Sequence, residues 1–206
     1  MITRFFSVVC LLALHYCIPA LAVDYESHLE SFAVPNHGEL IFHVPVGWEI
    51  NYVFYDEEEA VPPLVTFFSR DEKRRELFQL NVSALWDDSF SRNVTDPASI
   101  RELVEEVGQN ILEYSDQNEL VLEPFSGSNG EGYYFNVTDS SARPGEYRYL
   151  TQGALAVGDV VLVFSLFTHD GDTALKEKTL QMLRAVVQKH QRDVNFFPIN
   201  RYSSHL

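Results

Sequence analysis

The chain has 206 residues, of which 46% are hydrophobic and 22% are charged, a balance typical of a folded globular protein. Thirty acidic residues against fifteen basic ones give a formal net charge of −15 at pH 7. An acidic surplus of this size argues against nucleic acid as a partner, because phosphate binding needs a basic face. It also argues against electrostatic docking on an anionic membrane surface.

The first 22 residues have the pattern of a secretory signal peptide. Arg4 supplies the positive n-region, residues 5–18 are mostly apolar, and Pro19 precedes the small residues typical of a cleavage site. The apolar run is shorter than the roughly 20 residues that span a bilayer, so we expect cleavage between Ala22 and Val23 rather than a membrane anchor. We therefore expect a periplasmic or secreted protein with no stable membrane insertion after cleavage.

Both cysteines, Cys10 and Cys17, lie inside the predicted signal, so the mature chain would contain none. Thiol catalysis and thiolate metal sites are excluded for that mature chain. Small extracellular animal domains usually carry disulfides, so their absence favours a bacterial envelope. Three N-x-S/T sequons leave N-glycosylation open, although two of them fall in predicted strands, which are poor acceptor sites. They begin at Asn81, Asn93 and Asn136.

Four strands are predicted in the first half of the mature chain, after a polar lead-in over residues 24–38. They cover residues 39–44, 48–55, 64–69 and 77–85. Between the first two, Pro45 and Gly47 suit positions i+1 and i+3 of a turn. The second half has four more predicted strands, with a tight hairpin turn at Gly158 and Asp159. They cover residues 119–123, 133–138, 147–157 and 160–168.

Two amphipathic helices separate and follow these strands. Asp96 is the predicted N-cap of the first, and its apolar residues recur on one face as far as Tyr114. The second is predicted from residue 173 to about residue 190. The strand over residues 160–168 lacks polar alternation, which predicts a central strand covered on both faces. Antiparallel strands with two interspersed helices indicate a single α+β domain over residues 23–206.

Several packing and turn motifs occur together along the chain. They are Val-Pro-Val-Gly-Trp at 44–48, the mid-chain amphipathic helix, Gly-Glu-Gly-Tyr-Tyr-Phe at 130–135, and Tyr-Leu-Thr-Gln-Gly at 149–153 before the hairpin, apolar strand and closing helix. In these features the chain resembles the PsbP-like superfamily, named for the extrinsic protein of photosystem II and including many secreted bacterial proteins. The resemblance covers most of residues 38–190.

The resemblance implies an antiparallel sheet of about six to eight strands flanked by two helices, an α/β/α sandwich. The body of that domain would extend over about residues 38–191 and leave a C-terminal tail over residues 192–206. The resemblance also implies a non-enzymatic accessory role on a larger complex. No family site residue can be carried over, because the matching positions are structural.

The residues themselves offer no constellation for catalysis. The sequence lacks a G-x-S-x-G elbow, a P-loop and a Ser-x-x-Lys motif, and no two histidines stand at HExxH or HxH spacing. We therefore predict no catalytic residues, no cofactor and no metal centre. The glycine-rich segment 126–132 is interpreted as a strand connector, because a phosphate site needs a helix behind it.

Two acidic segments remain as candidate Ca²⁺ ligands, since oxygen-rich loops suit that ion. Their members are Asp56, Glu57, Glu58, Glu59, Asp170 and Asp172. The last two precede a predicted helix, where carboxylates also cap backbone N–H groups. A solvated charge run and helix capping are therefore the structural alternatives for the two segments.

The leading hypothesis is an exported, non-catalytic accessory or interaction protein of a bacterial envelope, bound to a protein partner there. One alternative is a periplasmic protein that binds a small ligand or Ca²⁺. Another is a hydrolase whose paired carboxylates are distributed along the chain. In the tail, Phe196 and Phe197 either pack back on the domain or form a docking segment.

Overall fold

The computed structural model describes residues 25–53, 62–86 and 94–190. Several predicted features lie outside these ranges. They are the signal peptide of residues 1–22 with its cleavage site at Ala22 and Val23, the acidic run of residues 56–59, Asn93, and the tail of residues 192–206. The described ranges contain most of the predicted domain body.

Ten strands and two helices follow one another in the described residues. The strands are β1 Ser27–Val34, β2 Gly38–Pro45, β3 Glu49–Val53, β4 Leu64–Arg70, β5 Glu76–Trp86, β6 Glu123–Ser126, β7 Glu131–Thr138, β8 Tyr149–Val157, β9 Val160–Thr168 and β10 Val187–Lys189. Helix α1, Pro97–Leu112, lies between β5 and β6, and helix α2, Thr173–Arg184, lies between β9 and β10. The predicted α+β class is confirmed.

The strands form two antiparallel sheets rather than one. Seven strands make the large sheet, in the order β3-β4-β5-β9-β8-β7-β6, and three make the small sheet, in the order β1-β2-β10. Helix α1 packs over β7 and β8 on one face of the large sheet, whereas α2 and the small sheet cover the opposite face. The predicted sandwich is therefore present, but its second layer contains a sheet that the sequence analysis did not anticipate.

Strand β9 lies at the centre of the large sheet, as the fourth of its seven strands. Leu162 and Phe164 are buried on the face towards α2, and Val161 is buried on the face towards α1. Each buried side chain of this size stabilises the fold by about 1.5–3 kcal/mol. The prediction of a central strand covered on both faces is confirmed.

Three aromatic rings hold the small sheet against the large one. The rings of Phe42 and Phe67 are fully buried, with centroids 5.6 Å apart. Phe32 meets both of them edge-on, at 5.3 and 6.0 Å. Edge-to-face aromatic pairs contribute about 0.5–1.5 kcal/mol beyond their buried area, so this cluster fixes β1 and β2 on β4.

The turn between β2 and β3 begins one residue later than predicted. The backbone N–H of Trp48 donates to the carbonyl oxygen of Pro45 at 3.2 Å, and Gly47 has a φ of +88°. Pro45 is therefore position i and Gly47 is position i+2, where a type II turn requires the left-handed backbone that glycine adopts without strain.

The polar lead-in over residues 24–38, for which no strand is predicted, contains β1. Only Phe32 and Val34, at the end of this strand, are buried, so the earlier residues give no alternating apolar signal. The strand predicted over residues 119–123 is also misplaced, since β6 begins at Glu123. Strand β6 contains Pro124, which has no backbone N–H to donate. This proline is tolerated because β6 is an edge strand.

Both helices end earlier than predicted. Helix α1 ends at Leu112, and Tyr114 is 75% exposed rather than part of the apolar face. Helix α2 ends at Arg184 rather than near residue 190. The residues beyond it form β10, in which Val187 faces Ile41 of β2, so strand pairing replaces the last predicted turns of the helix.

Candidate functional site

A groove of about 820 Å³ opens at one end of the large sheet. Its walls are the β4–β5 turn of residues 71–75, the β7–β8 loop of residues 139–148, and His169 immediately after β9. These segments meet because β5, β9 and β8 are adjacent and in register there, with Thr168 facing Phe78 on one side and Tyr149 on the other. We call this feature the end groove.

The β4–β5 wall is organised by the carboxylate of Asp71. Its Oδ1 accepts the backbone N–H groups of Lys73 and Arg75 at 2.8 and 2.9 Å, and its Oδ2 accepts Arg75 Nε at 2.8 Å. The backbone N–H and then the guanidinium of Arg75 lower the pKa of Asp71. The carboxylate is therefore ionised at neutral pH and holds Arg75 at the edge of the groove.

The β7–β8 wall is closed by a second pair, Arg143 and Glu146. Arg143 Nε donates to Glu146 Oε1 at 2.8 Å, and the Arg143 backbone N–H donates to Glu146 Oε2 at 2.9 Å. These hydrogen bonds from Arg143 lower the pKa of Glu146. The Arg143 side chain is nevertheless 82% exposed, so part of the guanidinium faces solvent.

His169 joins the two walls at the base of the end groove. Its Nδ1 lies 3.0 Å from the carbonyl oxygen of Glu146, and its Nε2 lies 3.0 Å from the carbonyl oxygen of Glu76. The imidazole also stacks on Tyr147, with centroids 4.5 Å apart and planes 24° apart. Each ring nitrogen faces a backbone carbonyl oxygen, and the nitrogen that carries the proton donates to its oxygen, so the side chain links the two walls.

Tyr147, which stacks on His169, also contacts Glu76 at the beginning of β5. The Tyr147 hydroxyl donates to Glu76 Oε2 at 3.2 Å. Burial, and then the negative charge of Glu76, raise the pKa of Tyr147 to about 12, so the phenol is neutral at physiological pH. Glu76 lies 3.5 Å from Arg70, which also donates to Glu49 at 2.6 Å.

The charged groups of the end groove thus engage one another. A hydrolase with two carboxylates needs one of them protonated, which requires a raised pKa. Asp71 and Glu146 have lowered pKa values instead, and His169 has both nitrogens engaged. Asp71, Glu146 and His169 are therefore each held by contacts within the groove.

Of the candidate calcium ligands that the structure describes, Asp172 has a structural contact through its carboxylate and Asp170 through its backbone. Asp172 is the N-cap of α2, with a side-chain oxygen that accepts the backbone N–H of Leu175 at 3.0 Å. The backbone carbonyl of Asp170 accepts the hydroxyl of Thr168 at 2.6 Å. Within the described ranges, no group of three or more His, Cys, Asp or Glu residues could hold a metal ion.

The glycine-rich segment connects β6 and β7, as predicted. Gly127 donates to the carbonyl oxygen of Gly130 at 2.9 Å, and Ser128 donates through both N–H and hydroxyl to the carbonyl of Arg184. The connector is thereby bound to the end of α2, and a strand follows it rather than a helix.

Two sequon asparagines lie in strands, Asn81 in β5 and Asn136 in β7. Asn81 Oδ1 accepts the hydroxyl of Thr66 at 2.9 Å, and Asn136 Nδ2 donates to Glu123 Oε1 at 2.8 Å. Both side chains therefore take part in hydrogen bonds across the sheet.

The sequence analysis did not identify the end groove. His169 and Glu76 are 93 residues apart, and only the strand order brings them together. The available signal is a concentration of basic residues in an acidic chain, next to the strand predicted over residues 64–69. They are Arg70, Lys73, Arg74 and Arg75.

Among the helices that the structure describes, none is long and apolar enough to cross a bilayer. Comparison with protein families and with curated proteins gives no match. Among solved structures, the chain is similar to a protein from Bacteroides thetaiotaomicron VPI-5482, with 14% identity and a TM-score of 0.40. That match covers 74% of this chain and 46% of the Bacteroides protein, less than half its length.

The chain is also similar to the solution structure of cyanobacterial PsbP (CyanoP) from Synechocystis sp. PCC 6803. The identity is 18%, the TM-score is 0.45, and the match covers 81% of this chain and 95% of that one. PsbP is also the protein that names the superfamily resembled by the sequence motifs. Both similarities concern the arrangement of strands and helices and do not extend to activity.

Proposed function

We propose that this chain is an exported, non-catalytic accessory protein of a bacterial envelope and that it binds a protein partner through the end groove. The observation that supports the proposal is the mutual pairing of the groove's charged side chains. Asp71 with Arg75 and Arg143 with Glu146 form hydrogen-bonded ion pairs. Fixed pairs of this kind present a defined pattern of charge without leaving a group poised for proton transfer.

The composition of the groove also favours a protein partner. Arginine and tyrosine are enriched in protein interfaces, and the groove has three exposed or partly exposed arginines together with Tyr147. Leu77, at its margin, is 48% exposed. An apolar residue beside paired charges provides the mixed surface on which a transient complex forms. The predicted signal over residues 1–22 supports the export part of the proposal.

Site-specific photocrosslinking in intact cells tests this function. A photoreactive benzoylphenylalanine replaces Arg143 in the end groove or, as the control, Tyr114, which is 75% exposed beyond α1. We expect one discrete adduct at native abundance from position 143 and no such adduct from position 114. Mass spectrometry of the adduct should find Val23 at the N-terminus of this protein's own chain.

Two results would contradict the proposal. The groove assignment fails if both positions give the same set of adducts, because contact would then be independent of the groove. The accessory function fails if position 143 captures no protein at native abundance while the same variant folds and is exported.

A further inference from the structure

A second cavity, of about 240 Å³, lies between the beginning of α2 and the inner face of the large sheet. Asn136, Thr151 and Thr168 line it from β7, β8 and β9, and Asp172 and Lys176 line it from the helix side. We call it the α2 pocket. None of its lining residues belongs to the end groove, so it is a separate feature.

The sheet side of the α2 pocket contains buried hydroxyl groups. Thr151 and Thr168 are 7% and 5% exposed, and they are two of the three buried polar side chains among the described residues. The Thr151 hydroxyl donates to Asn136 Oδ1 at 2.8 Å, and the Thr168 hydroxyl donates to the Asp170 carbonyl at 2.6 Å. Each hydroxyl hydrogen is thus used within the protein, and a ligand would meet these oxygens as acceptors.

The helix side contains a lysine that is partly buried as a residue. Lys176 lines the pocket, and the described part of the chain provides no ion pair for it. Asp172, one turn earlier, is engaged with the Leu175 N–H as the helix cap. A ligand carboxylate placed at Lys176, away from the negative charge of Asp172, would accept a charge-assisted hydrogen bond from the ammonium.

These two sides define the ligand that the pocket fits. We propose that the α2 pocket binds a small amino or hydroxy acid, with its carboxylate at Lys176 and its N–H or O–H donors towards Thr151 and Thr168. The volume is below the roughly 300–1,000 Å³ of sites for drug-sized ligands, which limits the ligand to a small molecule. This binding is independent of the partner proposed for the end groove.

Calorimetric titration of the purified protein tests the inference at constant ionic strength. The ligands are serine and lactate, which combine a carboxylate with donors. The controls are acetate, which lacks the donors, and glycerol and ethanolamine, which lack the carboxylate. We expect saturable binding of serine or lactate only, weakened at least tenfold in Lys176→Gln. Lys178→Gln, on the exposed side of the same helix, should bind as the unchanged protein does.

A second variant tests the hydroxyl oxygens that would accept hydrogen bonds from the ligand. Thr168→Val removes one buried hydroxyl and should weaken binding while leaving the circular dichroism spectrum unchanged; if this variant fails to fold, Lys176→Gln alone decides. The inference is overturned if neither acid binds, if acetate binds as tightly as serine or lactate, or if Lys176→Gln and Lys178→Gln behave alike. None of these results bears on crosslinking at Arg143, so the two proposals fail separately.

Discussion

Burial raises the pKa of both Tyr25 and Tyr147 to about 12, compared with about 10 in an unfolded chain. Burial and the neighbouring carboxylate of Glu123 raise the pKa of Tyr134 in the same direction. A tyrosine whose folded pKa is raised stabilises the fold below its unfolded pKa. This contribution is lost as the pH rises through the pKa of the folded state. The three tyrosines therefore predict that the free energy of unfolding falls above pH 10.

The Tyr147→Phe variant tests that loss at one position. It removes the ionisable hydroxyl and keeps the ring that stacks on His169. We expect the free energy of unfolding of the unchanged protein to fall between pH 10 and pH 12 more steeply than that of the variant. Urea unfolding at several pH values measures the two slopes. Equal slopes would show that Tyr147 does not contribute to the alkaline transition.

Residue roles were predictable where the signal is local. Asp96 and Asp172 are N-caps as expected, because a capping carboxylate and the N–H that it accepts are three residues apart. The contacts of His169 were not predictable, since its two oxygen partners come from segments whose proximity depends on strand order. The contact of His169 with Glu76 depends on the register of β5 with β9, which cannot be predicted from composition.

At the scale of single elements, α1 illustrates how closely a helix can approach the sheet. Gly108 is buried, and a Cβ there would lie 2.6 Å from Leu120 Cδ1 and 3.2 Å from the Phe135 ring. The missing side chain therefore allows α1 to lie directly on β7. A larger residue at this position would have to displace the Leu120 side chain and would press on the Phe135 ring.

Gly108→Val should destabilise the protein by about 1–3 kcal/mol, the usual cost of overpacking a core. The matched control is Gln109→Val, an exposed neighbour in the same helix that gains the same β-branched side chain without meeting the sheet. Chemical denaturation compares the two variants with the unchanged protein. If Gly108→Val is no more destabilising than Gln109→Val, close approach at Gly108 is not what fixes α1.

The elements that were predicted correctly carry strong periodic signals. Helix α1 begins directly after the expected N-cap, Asp96, and β9 has the expected limits, because a long amphipathic stripe and a continuous apolar run are both distinctive. Strands β1 and β10 were missed since their residues are largely exposed and gain stability by pairing with β2. Pairing with a distant strand leaves little trace in local hydrophobicity.

Charge is unevenly distributed over the whole molecule. Six of the fifteen basic residues lie in or beside the end groove: Arg70, Lys73, Arg74, Arg75, Arg143 and Arg148. Three of them, Arg70, Arg75 and Arg143, form ion pairs with carboxylates. Because acidic residues accompany the basic ones there, this end is nearly balanced in charge. Most of the acidic surplus therefore lies elsewhere, and its mutual repulsion opposes the compact state.

Added salt should therefore raise the melting temperature. The Debye length falls from about 30 Å at 0.01 M to about 3 Å at 1 M, which screens repulsion between distant carboxylates. We expect a rise of several degrees over this range with sodium chloride and an equal rise with potassium chloride, measured by calorimetry at pH 7. A decrease would mean that the exposed ion pairs contribute more to stability than repulsion removes.

The α+β class and the order of most elements could be inferred from the chain, but the division into two sheets could not. Apart from β6, strands β3 to β9 follow turns and have apolar patterns that neighbouring residues specify. The small sheet instead joins residues from both ends of the described chain. The Gln188 amide donates to the carbonyl of His37 across 151 residues, a separation at which local patterns give no information.

That distant pairing also sets an order of assembly. The β1–β2 hairpin is local, but the second edge of β2 has its partner only when β10 has been synthesised. Closing so long a loop is slow relative to hairpin formation. A chain truncated before Val187 would leave the backbone groups of β2 unpaired along that edge, and unpaired edges promote aggregation. A fragment that ends before β10, the last strand of the described residues, would therefore present an open sheet edge that proteases and chaperones can recognise.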